Sequence, residues 1–109
     1  MAEQVSVIAE AMKLLYLVKN CLPSNVEYIK EDSGQISCLT HGGIETWGLG
    51  RTYEDAREDL LSSLKEIADM IREDIQNGQN FNIDEVPYMF KILTSSDEEL
   101  RQWLSYENI

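Results

Sequence analysis

The chain predicts an α+β fold: an antiparallel sheet of three to four strands covered by one long helix (β-β-β-α-β), with an extra N-terminal helix and a short C-terminal helix. Three observations lead there. Residues 26–49 hold three short runs containing Val, Ile, Tyr, Leu and Trp, separated by two glycine-containing turns, the pattern of a meander. Residues 53–77 carry the longest apolar stripe of helical period. Between them, Gly48-Leu49-Gly50-Arg51-Thr52-Tyr53-Glu54-Asp55-Ala56 joins a strand to a helix. Its glycines permit a close-packed turn, and Thr52 with Asp55 forms a weak version of the capping box.

Residues 3–20 read as a helix. Val5, Ile8, Met12, Leu15 and Tyr16 recur at three- and four-residue spacing, and Leu14 and Val18 widen the stripe. Pro23 disfavours helical geometry at Leu22 and should end it. The first strand runs from Val26 to Lys30, with Glu31-Asp32-Ser33-Gly34 as a turn cluster. The second runs from Ile36 to Thr40, His41-Gly42-Gly43 turns the chain again, and the third covers Ile44 to Leu49. In the long helix, Ala56, Leu60, Leu64, Ile67, Ala68, Ile71 and Ile75 form one face. Glu54, Asp55, Glu58 and Asp59 crowd its first turns, those nearest the start favouring the positive end of the helix dipole. Asn77-Gly78 supplies the stop. Val86, Tyr88, Phe90 and Ile92 then alternate, which predicts a fourth strand, with Pro87 favouring an edge or a strand start. Ser96 and Glu99 offer a second capping box, opening a helix from about Asp97 to Tyr106. The expected organisation is one domain over residues 1–109: an N-terminal helical extension (1–22), a core (25–93) and a C-terminal helix (94–109).

Twenty acids against nine bases give a net charge of −11. Such a surface repels nucleic acid and favours basic partners. Residues 94–109 set Asp97, Glu98, Glu99 and Glu107 against Arg101 alone, so direct nucleic-acid binding is not expected. Cys21 and Cys38 show no zinc-type spacing and are expected to be reduced thiols. Glu3 and Glu10 interrupt the N-terminus, which does not read as an export signal. No segment approaches the roughly 20 apolar residues of a membrane span. A cytoplasmic location without membrane association is therefore expected.

No catalytic motif stands out. His41 is the only histidine and sits in a turn, where a surface role is the ordinary one. Gly48-x-Gly50 lacks the rest of a dinucleotide fingerprint, and Ser62-Ser63 lies inside the helix, away from any nucleophile elbow. The expectation is a protein that is not an enzyme, with no catalytic residue, cofactor or metal.

The first strand and turn, Val26-Glu27-Tyr28-Ile29-Lys30-Glu31-Asp32-Ser33-Gly34, and the helix entry Gly50-Arg51-Thr52-Tyr53-Glu54-Asp55-Ala56, close to a G-x-T-x-E-E-A pattern, resemble the HicB-like antitoxin family over residues 25–93. The resemblance implies a partial ribonuclease-H-like layer and a small basic ribonuclease toxin as partner. Three departures are visible. The Pro-x-Leu-Pro-Gly-Cys segment is replaced by His41-Gly42-Gly43-Ile44-Glu45-Thr46-Trp47, residues 3–20 are additional, and only about 16 residues follow the predicted fourth strand. An antitoxin would occlude the toxin's RNA-binding surface, with Glu31, Asp32, Glu45 and Trp47 as candidate contacts. Ile8, Met12 and Leu15 are candidate dimer contacts in a homo-oligomer. Two alternatives follow from the same fold: a remnant metal-dependent nuclease using Glu27, Asp32 and Glu45, since such sites need converging carboxylates, and an orphan regulatory or structural domain with no toxin.

Overall fold

A computed structural model describes residues 2–106, and the side chains of residue 7, residues 9–20 and residues 22–106. The side chains of Val5, Ile8 and Cys21, and all of Glu107, lie outside the described set. The element order is α1 (Ala2–Cys21), β1 (Val26–Lys30), β2 (Ile36–Thr40), β3 (Trp47–Gly50), α2 (Tyr53–Gln76), a 3₁₀ turn (Ile83–Glu85), α3 (Val86–Thr94) and α4 (Asp97–Trp103). The α+β class, the three-stranded antiparallel meander and the long covering helix are as predicted.

The sheet order is β1-β2-β3. Tyr28 pairs with Cys38, which pairs with Gly48, and Lys30 pairs with Ile36, which pairs with Gly50. Because side chains alternate across a strand, this register puts Val26, Tyr28, Ile36 and Cys38 on one face. Ile36 and Cys38 are buried there, beneath Ala56, Leu60 and Leu64 of α2. Burial pushes the Cys38 thiol up to about 11, so it stays protonated and unreactive at neutral pH. Tyr28 donates to the Leu104 carbonyl. Burial, then the neighbouring Cys38, raises its phenol well above the usual range.

Gly48 and Gly50 are the contact that sets the layer spacing. A Cβ at Gly48 would sit 2.3 Å from the Leu60 amide nitrogen and 2.5 Å from the Ala56 carbonyl oxygen. One at Gly50 would sit 2.5 Å from the Ala56 nitrogen. Helix α2 thus lies with its backbone directly on β3, which only glycine permits. The pair read as a turn is instead a strand face shaved to backbone.

The predicted caps are present. Thr52 Oγ1 accepts the Asp55 N–H at 3.0 Å, and Asn77 closes α2, followed by Gly78 at φ +68°. Ser96 and Glu99 form the complete reciprocal box at α4. The fourth strand is not there: residues 86–94 form helix α3. Pro87 sits in its first turn, where a missing N–H costs nothing. Asn82 Oδ1 accepts the Asp84 N–H and starts the preceding 3₁₀ turn. The stretch fits both periods, and burial of Met89 and Ile92, three residues apart, shows which one the core selects.

Helices α3 and α4 complete the layer behind α2. Arg101 of α4 grips Glu58 of α2, with Nη2 2.8 Å from Oε1 and Nε within 3.1 Å of both carboxylate oxygens. These hydrogen bonds hold Glu58 below the ordinary glutamate value of 4.5. A depressed folded-state pKa means stabilisation that is complete above 4.5 and is lost as pH falls through the folded value. The unfolding midpoint should therefore be insensitive to this pair from pH 7 to 5 and fall below pH 4.5. Arg101→Ala should lower the midpoint at neutral pH and flatten that acid limb, as followed by circular dichroism in urea. The effect is modest, because the pair is partly exposed.

The C-terminal end of α1 is tied to this layer. Lys91 of α3 donates to the Lys19 carbonyl and lies over the Trp103 ring, and Trp103 Nε1 donates to the Leu22 carbonyl at 3.1 Å. Val18 and Lys19 are half-buried there. The rest of α1 stands out from the body, giving a molecule of 60 × 30 × 19 Å.

Candidate functional site

Among the described residues, no helix packs on the face of the sheet opposite α2. Register and alternation place two cross-strand rows on it: Glu27–Leu39–Trp47 and Ile29–Ser37–Leu49. Four of these six residues are large and apolar. Trp47 is 64% exposed, and Ile29 and Leu49 are each 42% exposed. The two edge strands therefore spend apolar side chains on water, whereas antiparallel sheets that face solvent ordinarily alternate to polar residues. A contiguous apolar patch with a charged rim is the usual mark of a protein-interaction surface.

The rim is acidic. Glu31 bends over the patch and accepts the Ser37 hydroxyl at 2.7 Å. Asp59, from α2, accepts the Leu49 N–H at 2.9 Å and so closes part of the outer edge of β3. Glu27 meets His41 Nε2 at 2.8 Å. Glu45 lies in the loop before β3 and accepts the Gly42 N–H at 3.3 Å. That loop is braced by Thr40, whose hydroxyl donates to the Ile44 carbonyl at 2.8 Å and accepts the Thr46 N–H at 2.9 Å. Trp47 is thus presented by a fixed strand start.

The candidate contacts are partly brought together. Glu45 precedes Trp47 at one end of the sheet, and Glu31 sits at the other, over the Ile29–Ser37–Leu49 row. Asp32 is at the exposed tip of the β1–β2 turn. Ile29, Leu39 and Leu49 were missed from sequence. The signal was available: if Gly48 and Gly50 pack on a helix, period two forces Trp47 and Leu49 outward, and the meander register carries Leu39 and Ile29 with them. Among the described residues, no group of three or more His, Cys, Asp or Glu is arranged to hold a metal ion. The acids Glu27, Asp32 and Glu45 go to a strand face, a turn tip and a loop. No described helix is long and apolar enough to cross a membrane.

The same fold occurs in a solved antitoxin structure. It is described as an antitoxin part of a proposed toxin/antitoxin system from Syntrophomonas wolfei subsp. wolfei. It superposes with a TM-score of 0.67 over 84% of this chain and 67% of its own, at 24% sequence identity. Identity that low establishes the likeness of fold. No protein-family model and no curated protein matches the chain.

Proposed function

We propose that this protein is a HicB-like antitoxin that binds and neutralises a small basic ribonuclease toxin. The carrying observation is the open sheet face, with Trp47, Leu39, Leu49 and Ile29 at its centre and Glu27, Glu31, Glu45 and Asp59 around it. An apolar centre with a charged rim has the anatomy of a protein interface. Acids at the rim match a toxin whose own surface must attract RNA phosphates. The mechanism is occlusion. Carboxylates take the place of phosphates on the toxin's lysines and arginines, while Trp47 anchors the contact. No bond is made or broken, so no catalytic group, metal or cofactor is required. The antitoxin fold of the S. wolfei protein supports the same reading.

The C-terminal segment supports an antitoxin that does not contact DNA by itself, because Arg101 is engaged by Glu58. The test is co-expression with a small basic ribonuclease, taken from any such reading frame beside the gene, followed by purification and stopped-flow association. A stable complex is expected, and the toxin's cleavage of RNA should stop on mixing. With −11 on one partner, the association rate should fall about tenfold or more between 50 mM and 500 mM salt, as steering is screened. A rate indifferent to salt would show that the acidic surface serves solubility alone. RNA cleavage that continues in a formed complex would remove the occlusion mechanism.

A further inference from the structure

We propose that α1 is a self-association element, pairing antiparallel with α1 of a second copy of this chain along the flank formed by Ala9, Met12 and Tyr16. The helix is far more apolar than its surroundings justify. Val7, Met12, Leu14, Tyr16 and Leu17 are each 54–67% exposed. Of these, Met12, Tyr16 and Leu17 share the flank of Ala9 and form one exposed apolar strip along it. Among the described residues, the hydrogen bonds and ion pair that fasten the helix to α3 and α4 lie at its end near Lys19 and Leu22. Thr94 at the end of α3 borders a shallow depression with Met12, Leu15, Tyr16 and Lys19.

Charge selects a second copy as the occupant. Residues 2–21 carry Glu3 and Glu10 against Lys13 and Lys19 and sum to zero, so the whole −11 lies beyond them. A basic partner has nothing to pair with on a neutral helix and is drawn to the body instead. The net charge of the two bodies makes two copies repel, and this element carries none of that charge. The same electrostatics fixes the direction. In an antiparallel pair the two acidic bodies sit at opposite ends of helices about 30 Å long, several Debye lengths apart. A parallel pair would force them together.

Shape agrees with that direction. Ala9, Met12, Lys13, Tyr16 and Leu17 line a shallow groove along the helix. Ala9 is its low point, between taller neighbours. When two such helices cross near residue 12, Met12 meets its own copy and each Tyr16 covers the partner's Ala9. Large on small at both ends is the self-complementarity that a two-fold interface requires. The pairing does not depend on what the sheet face binds.

The test is light scattering on the full chain at about 100 µM. Wild type should run at twice its 12.5 kDa monomer mass. Met12→Gln/Tyr16→Gln should run as a monomer with its circular dichroism unchanged, since glutamine suits a helix and leaves the charge alone. Leu14→Gln, on the opposite flank, should remain a dimer. Met12→Cys should cross-link to a covalent dimer on mild oxidation, and Leu14→Cys should not. A monomeric wild type, a double variant that stays dimeric, or helix 2–21 binding phosphatidylcholine vesicles in place of its copy would overturn the proposal. Trp47→Ala should leave the dimer intact, which separates this result from any failure of the sheet-face reading.

Discussion

Gly48→Ala should unfold the protein or bring it close to unfolding. The added methyl would lie 2.3 Å from the Leu60 nitrogen and 2.8 Å from its Cα, with the Ala56 carbonyl oxygen at 2.5 Å. All three are backbone atoms of a 24-residue helix, so no rotamer change relieves them. Helix α2 must move off β3, opening the contacts of Leu60 and Leu64, both almost fully buried. Overpacking a close-packed interior costs typically 1–3 kcal/mol and more where the backbone must shift. We expect about 3 kcal/mol or more, against the 5–15 kcal/mol of an ordinary domain. The urea midpoint reads it directly. Gly50→Ala should cost less, because its clash is with Ala56 and Asp55 in the first turns of the helix, which can shift. A Gly48→Ala midpoint equal to wild type would mean that α2 does not rest on β3 as described.

That contact also shows why some of the fold was legible in the sequence and some was not. Caps are local: Thr52, Asn77 with Gly78, and Ser96 with Glu99 each act within a few residues, so the sequence alone places them. The stripe of α2 is long enough for its period to be unambiguous, and its burial follows it from Ala56 to Ile71. Residues 86–94 are short and apolar at both periods. What decides between strand and helix there is whether Met89 and Ile92 meet the core together, a tertiary fact. The proposed interaction surface was half legible. Trp47 and the acids were visible as residue types, but which face they occupy depends on the register with β2. The loose alternation of the strands did not give that register. Leu61, buried at the helix–core boundary, likewise lies one position off the predicted stripe.

Trp47→Ala should leave stability within about 0.5 kcal/mol of wild type, as for an ordinary surface substitution, while partner affinity falls at least thirtyfold. Gly48 and Trp47 are adjacent in one strand, and alternation gives them opposite faces. The indole is 64% exposed and has no helix over it, so its removal exposes little and opens no cavity. On the partner side it is the largest apolar group of the open face, beside Leu39 in the same cross-strand row. Tryptophan anchors at the centre of an interface commonly contribute about 2 kcal/mol or more on truncation, and 1.4 kcal/mol is a factor of ten. Glu31→Gln and Glu45→Gln stand at the rim, where a charge steers approach more than it holds the complex, so they should slow association and leave dissociation nearly unchanged. Titration calorimetry and stopped-flow with the basic partner measure the two effects separately. If Trp47→Ala lowered the unfolding midpoint as far as it lowered affinity, the indole would belong to the protein's own core. If it changed neither, the partner would have to dock on another surface, and the apolar side chains of this sheet face would need a different explanation.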